Sequence, residues 1–314
     1  MKRKTQKQTR TRNAKTPPSR RACGTMTVHS RLLEMDPSFG ERLVNIERLT
    51  SRRMLAGLTH RAGAPTTIPV VVHVVYNTEA ENILDAQVKS QISRLNLDYA
   101  AKNPDRKKTP SVWNGFVTDA RIQFVLAAKD PKGKGTNGII RIKTTQTSFS
   151  DDDSIKSASK GGADPWPTDK YLNLWICSLA GGLLGYAQFP GGPAKTDGVV
   201  ILNTAFGTSG SAAAPFNLGR TSTHEIGHWL NLHHIWGDTQ HCEGTDFVSD
   251  TPNAQLPNYG KPKFPHISCS NGPNGDMFMN YMDYVDDDSM VMFTTQQVAR
   301  MNAALEGPRN TIGK

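Results

Sequence analysis

The sequence predicts an α+β fold: one large domain with a continuous core, preceded by a short helical segment. Three observations predict it. Apolar, β-branched runs recur between residues 68 and 203. Helical periodicity recurs at 28–55, 83–100, 221–230 and 295–305. Gly, Pro, Asn and Asp dominate residues 237–276, which predicts a loop-rich region.

Residues 1–22 hold nine Lys/Arg and no acid, and so carry the whole formal charge of +9. A stretch so poor in apolar residues cannot build a core and is expected to be a disordered basic tail. The rest of the chain is neutral and shows neither zinc-finger spacing nor a second basic cluster, so no nucleic-acid partner is expected. Residues 23–62 follow, with Val28, Leu32 and Leu33, then Leu43, Ile46, Leu49 and Leu55, at helical spacing. That segment is too small to own a core and should dock on a larger unit. Residues 59–65, with Gly63 and Pro65, read as an exposed linker.

The run IPVVVHVVY at 68–76 suits a buried strand. Leu84, Val88, Ile92 and Leu95 mark one face of a helix over 83–100. Further strands are predicted at 121–128, 138–143, 171–177 and 197–203. The intervening LLGYAQFPGGP reads as an edge strand, because Pro190 and the glycines do not suit a sheet centre. A helix is predicted from near Thr221 through Leu230, and a last one from Thr295 to Leu305 with Thr294 or Thr295 as N-cap. No run reaches the roughly 18 apolar residues of a membrane span. The charged N-terminus is not followed by an apolar stretch, so as written it is not expected to act as a signal peptide.

The chemistry is concentrated in THEIGHWLNLHHIWGD at 223–238. His224 and His228 are four apart, so a helix projects both imidazoles from one face towards one ion. Glu225 stands beside the first ligand, where it can act as general base on a water activated by zinc. A third ligand requires the chain to leave the helix and turn. Asn231 stands at that turn and tolerates a left-handed backbone. His234 then completes three protein ligands and leaves a position open, as a catalytic zinc site requires. His233 breaks the spacing and is not expected to ligate.

These residues resemble the metzincin metallopeptidases, whose extended motif is HExxHxxGxxH; here Asn231 stands in place of the usual Gly. NYMDY at 280–284 resembles the methionine turn beneath the metal in that group. This implies Met282 as a hydrophobic floor and Tyr284 as a stabiliser of the tetrahedral intermediate. Within metzincins the resemblance is to the pappalysin family, particularly its ulilysin-like members. It rests also on IPVVVHVVY, LLGYAQFP, IWGD and DFVSDTP, and covers roughly residues 23–305. The family fold implied is a twisted mixed sheet and two long helices above a cleft, with a loop-rich lower subdomain. Gly185, Tyr186 and Ala187 would form the edge strand that pairs with an extended protein or peptide substrate.

The resemblance further implies a Cys242–Cys269 disulfide, calcium at Asp246 and the Thr251 carbonyl, and Asp288 at the base of the pocket for the residue after the scissile bond. That acid would favour Arg or Lys there, although Asp286 and Asp287 lie alongside. RACGT at 21–25 resembles the cysteine-switch segment of pappalysin proenzymes, which makes Cys23 a zinc ligand in a latent form. The organisation expected is a tail at 1–22, a pro-segment at 23–62 and a catalytic domain at 63–314. Activation cleavage is expected before Arg52, Arg53 or Arg61. Cys177 lies in a predicted strand and reads as an inert core residue. Secretion follows from the resemblance, with a cytoplasmic location as the alternative. The competing function is a catalytically silent zinc-binding adhesion or regulatory module on the same fold, which would have no need of Glu225. A zinc peptidase with a distant Glu as third ligand would make His234 dispensable.

Overall fold

The longest strand, β1 (Thr66–Tyr76), organises the sheet, and its run of valines and isoleucine suits a position with neighbours on both sides. The structure is a computed structural model that describes residues 18–313. Parallel partners of β1 are β2 (Ile122–Leu126) along its first half, β3 (Ile139–Lys143) along its second, and β4 (Leu172–Cys177) on the opposite side. Beyond β4 lies β6 (Val199–Leu202), also parallel, and then β5 (Gly185–Ala187), which runs antiparallel to β6. The sheet is therefore mixed, and β5 is its edge, as the Gly/Pro-rich composition predicts.

Side chains alternate across this sheet and supply two cores. Val70, Val72 and Val74 of β1, with Leu172, Leu174 and Ile176 of β4, face one side. There they meet Val88 and Leu95 of α3 (Asp85–Tyr99), Ile226 and Trp229 of α4 (Arg220–Trp229), and Val298 and Met301 of α5 (Thr295–Glu306). Val75, Trp175, Cys177, Val200 and Leu202 face the other side. That second core is completed by Val28 and Leu32 of α1 (Thr25–Met35) and by Phe39 of α2 (Pro37–Leu55). The N-terminal segment thus borrows the sheet's outer face, since it cannot bury its own apolar stripe alone.

Asp36 and Pro37 divide that segment into two helices. The Asp36 carboxylate accepts from the Ser38 backbone N–H at 3.1 Å, and Pro37 opens α2 where its missing N–H costs nothing. Hydrogen bonds and charge pairs fasten the segment along its length. Arg42 donates to the Gly191 carbonyl at 2.6 Å, Glu47 pairs with buried Arg300 at 2.7 Å, and Arg53 pairs with Glu306.

Two expectations are corrected here. Leu84 is 67% exposed at the N-cap of α3, and Ile83 fills the core in its place. The expected tail at 1–22 lies mainly outside the described residues, but its end is no solvated arm. Arg20 stacks on the Tyr259 ring at 5.1 Å, and Arg21 is only 3% exposed. A guanidinium that finds a buried carboxylate overrides the composition of its neighbours.

Between α4 and α5 the chain is loop, apart from the short parallel pair β7 (Tyr259–Gly260) and β8 (Tyr284–Val285). A Cys242–Cys269 disulfide with Cα atoms 5.7 Å apart closes a loop across a sequence separation of 27. Such a loop closure stabilises by about 3 kcal/mol on the chain-entropy account. Thr294 caps α5 through a reciprocal pair with Gln297, and Cys177 is buried.

Candidate active site

Helix α4 carries His224 and His228 one turn apart, fully buried between the sheet and the lower loops. The helix ends in a Schellman turn. Leu232 N–H donates to the Gly227 carbonyl at 2.9 Å, Asn231 N–H donates to the His228 carbonyl at 2.9 Å, and Asn231 adopts φ +76°. This reversal returns His234 to the first two imidazoles. The three Nε2 atoms form a triangle with edges of 3.2, 3.2 and 3.0 Å. A point equidistant from all three comes within about 1.8 Å of each, inside the ~2.0–2.1 Å of a zinc–imidazole bond, so one ion can take all three lone pairs.

The opposite ring nitrogens are all occupied. Nδ1 of His224 donates to the Tyr281 carbonyl at 2.7 Å, Nδ1 of His228 to the Leu232 carbonyl at 2.7 Å, and Nδ1 of His234 to the Asp238 carboxylate at 2.5 Å. Fixing the proton on Nδ1 leaves Nε2 free as a donor to metal. Burial, then the neighbouring imidazoles, holds His224 and His228 well below the ordinary histidine range, so both stay neutral. The Trp236 ring stacks on His234 at 4.3 Å and fixes its plane. His233 turns away, between Phe189 at 4.8 Å and Phe247 at 4.9 Å.

Glu225 points into the same cleft. Burial pushes its carboxyl up to about 7, against hydrogen bonds from Cys23 and Thr25 and the charge of Arg21. Cys23 Sγ lies 3.2 Å from Glu225 Oε2, and Thr25 Oγ1 lies 3.0 Å from the same oxygen. Cys23 also falls among the three imidazoles, with all four potential ligand atoms within 4.8 Å of one another. Its thiol is pushed well up by burial and by the Glu225 charge, so a thiolate there needs a cation beside it.

The segment around Cys23 reaches the cleft through the sheet edge. Cys23 bridges Gly185 of β5 in parallel, with Gly24 N–H donating to the Gly185 carbonyl at 2.9 Å. Gly185 can only be glycine: a Cβ there would stand 2.8 Å from the Val200 carbonyl and 2.9 Å from Glu225 Cγ. Gly227 has a related role, since a Cβ would come within 2.6 Å of Met282 Sδ. Met282 is fully buried under the helix, and Tyr284 stands with its ring 4.9 Å from that of His234.

Arg21 enters a pocket beside the imidazoles. Its guanidinium pairs with Asp287 at 2.7 Å, donates to Thr221 Oγ1 at 3.0 Å and the Val285 carbonyl at 3.3 Å, and lies 5.0 Å over the Phe216 ring. Asp288, the acid expected at the base of that pocket, is placed elsewhere. It faces the surface, pairs with exposed Lys261 at 2.6 Å, and does not touch Arg21. Asp287 is fully buried, and its second oxygen accepts from the Leu218 and Arg220 N–H groups where α4 begins. Asp246 and Thr251 lie together in a separate place, with Thr251 Oγ1 donating to Asp246 at 2.7 Å.

Sequence reasoning did not single out Asp238, Trp236 or Gly227 beside the imidazoles, named Asp287 only as a neighbour of Asp288, and gave Arg21 no role of its own within RACGT. The first two lie in the IWGD tetrad, and a carboxylate four residues past a metal-type histidine is a usable signal for its Nδ1 partner. Arg21 opens the RACGT segment, but its partner Asp287 lies far away in sequence, so its burial was not legible locally.

Comparison with known proteins agrees with this geometry. The family described as pregnancy-associated plasma protein-A matches residues 156–306. A solved structure of a Tannerella forsythia promirolysin mutant is 43% identical, covers 93% of this chain and 97% of its own, and superposes with a TM-score of 0.85. Mature mirolysin of Tannerella forsythia in complex with a cleaved peptide is 47% identical over 80% of this chain and 99% of its own, with a TM-score of 0.76. An extracellular metalloprotease of Pyricularia oryzae is 34% identical over 76% of this chain and 74% of its own length. The silent-module alternative is thereby set aside. The chain belongs to the pappalysin family of metzincins, ulilysin-like in its resemblance, and is a zinc metalloendopeptidase in zymogen form.

Proposed function

We propose that this protein cleaves peptide bonds that precede Arg or Lys, and that residues 18–62 keep it latent by filling the cleft with the groups a substrate would bring. The observation that carries this reading is the placement of Arg21 against Asp287 while Cys23, two residues on, reaches the three imidazoles. One short peptide occupies both the metal position and a cation pocket.

His224, His228 and His234 would hold the zinc, and Cys23 would supply a fourth ligand in the latent form. Zinc, when bound, supplies Lewis acidity that lowers the pKa of water towards ~7 and polarises a peptide carbonyl. Glu225 takes the proton from the attacking water and passes it to the leaving amine; a carboxyl near neutrality suits both transfers. In the precursor that carboxylate is engaged by Cys23 and Thr25 and cannot serve. The Tyr284 hydroxyl stabilises the developing oxyanion. Gly185, Tyr186 and Ala187 hold an extended substrate by main-chain pairing, the role that Cys23 and Gly24 now take. Asp287 receives the basic side chain after the scissile bond, in a desolvated pocket where a bidentate or charge-assisted contact discriminates well.

Activation removes the segment. Arg52 and Arg53 lie within α2, where a bond cannot enter a cleft as an extended strand, and Arg53 is tied to Glu306. The bond before Arg61 lies in irregular chain between α2 and β1, and is the site we assign. Calcium is a second proposed metal, at Asp246 and the Thr251 carbonyl. The Asp246 carboxyl is pushed up to about 7 by burial, a cost that a hard cation would remove. Action outside the cell is proposed from the disulfide and from relatives named extracellular metalloproteases.

The test is mass spectrometry of the products from a random peptide library, with processed protein and with Glu225→Ala. Cleavage before Arg and Lys is expected, with Glu225→Ala slower by roughly 10²–10⁴-fold. Cleavage with no basic residue favoured after the bond, or full activity in Glu225→Ala, would reject the reading.

A further inference from the structure

A second acidic site meets the N-terminal segment after Cys23, as Asp287 meets it before Cys23. Gly24 follows Cys23, and a Cβ placed on it would lie 3.1 Å from Asp151 Cβ and 3.2 Å from Asp151 Oδ2. The Asp151 carboxylate therefore flanks the backbone where it leaves Cys23 and turns into α1. Two residues further along the same loop, Asp153 is 7% exposed and held in a left-handed backbone conformation at φ +63°. Its Oδ1 pairs with Lys156 at 2.8 Å, and the Lys156 ammonium is itself fixed by the Thr196 carbonyl at 2.7 Å and lies 4.9 Å over the Tyr186 ring of β5.

The remaining oxygen of Asp153 is already filled by a cation from the N-terminal segment. Arg31 donates to Asp153 Oδ2 at 2.7 Å and to the Asp151 carbonyl at 3.0 Å. The segment thus sets one arginine in each of two acidic sites, Arg21 with Asp287 and Arg31 with the 151–153 loop. When the segment leaves, Arg31 leaves with it. Lys156 then balances only one of the three carboxylates of Asp151, Asp152 and Asp153. A loop of net negative charge, with Asp153 buried, remains beside the edge strand.

We propose that Asp151 and Asp153 form a subsite that selects a basic residue on the amino-terminal side of the scissile bond, one or two positions before it. The mature enzyme then reads positive charge on both sides of the bond it cuts. This subsite rests on the reading that Asp287 marks the side after the bond. Asp151 acts by direct contact with the substrate side chain, and Asp153, held by Lys156, completes the field.

The test uses processed enzyme on matched peptides carrying Arg or Glu at each of the three positions before a fixed bond, with Arg or Ala after it. Wild type is expected to favour Arg over Glu by about tenfold in kcat/KM at one or two of those positions. Asp151→Asn should flatten that ratio and Asp151→Lys should reverse it, while the ratio of Arg to Ala after the bond stays as in wild type. Ratios within twofold at all three positions in wild type, or a preference that survives Asp151→Lys, would overturn the subsite. If the preference after the bond is missing while the one before it responds to Asp151, the Asp287 reading fails and this subsite stands.

Discussion

Arg21 and Asp287 meet at 2.7 Å with neither side chain more than 1% exposed, so the precursor buries an ion pair inside its own cleft. A buried carboxylate left unpaired is costly, and a mature enzyme with the segment removed can regain a partner only from substrate or solvent. On the proposed reading, the pair ties latency and specificity to one acid.

Replacing that acid gives the first prediction. Asp287→Asn keeps an oxygen for the Leu218 and Arg220 N–H groups, so α4 should start as before. The kcat/KM of processed enzyme on peptides with Arg after the bond should fall by about a hundredfold, and far less with Ala there. Steady-state kinetics on the two peptides checks it, and an equal loss on both would point to a disturbed helix.

Cys23→Ala in the precursor should release the Glu225 carboxylate from one hydrogen bond and vacate the fourth ligand position. The variant should process itself faster than the parent by at least about tenfold, followed by gel and peptide assay over time. A variant as silent as the parent would show that Arg21 and the helices suffice for latency.

Cleavage is expected at the bond before Arg61. Arg61→Ala should slow self-processing, while Arg52→Ala, within α2, should not. N-terminal sequencing of the mature protein decides the matter.

His73 gives an acid limit to stability that is separate from the active site. It is buried against Trp175 at 5.2 Å, one ring nitrogen bonds Asn173 Oδ1 at 3.0 Å, and the other has no partner among the described residues. Burial holds its pKa down at about 4, against the ordinary 6.5. The unfolded chain therefore takes up the proton first as pH falls through 6.5, and folding loses up to roughly 3 kcal/mol by pH 4. His73→Phe should flatten that part of the pH dependence in urea unfolding; an unchanged slope would assign the acid sensitivity elsewhere.

Calcium should raise the unfolding temperature of the wild type and leave Asp246→Ala unmoved. At a hundredfold excess over its dissociation constant a single site contributes about 2.7 kcal/mol. Calcium titration in a thermal scan, with magnesium as control, reads this directly.

Much of this was legible in the sequence because it is written in local spacing. The four-residue interval of His224 and His228, the turn at Asn231 and the β-branched run of β1 each depend on neighbours in the chain. The edge position of β5 followed from Pro190 and its glycines. What could not be read depends on pairs far apart in sequence. Arg21 and Asp287 are separated by 266 residues, and only the fold distinguishes Asp287 from Asp286 and Asp288. The exposure of Leu84 was hidden for a related reason: helical periodicity counts a residue at the cap as though it belonged to the helix face.

The account depends on zinc at three converging nitrogens, so metal analysis of processed, chelator-free protein tests it most directly. One zinc per chain is predicted for the wild type, and a loss of most of it in His234→Ala without unfolding by circular dichroism. Full zinc in His234→Ala, or none in an active wild type, would contradict it.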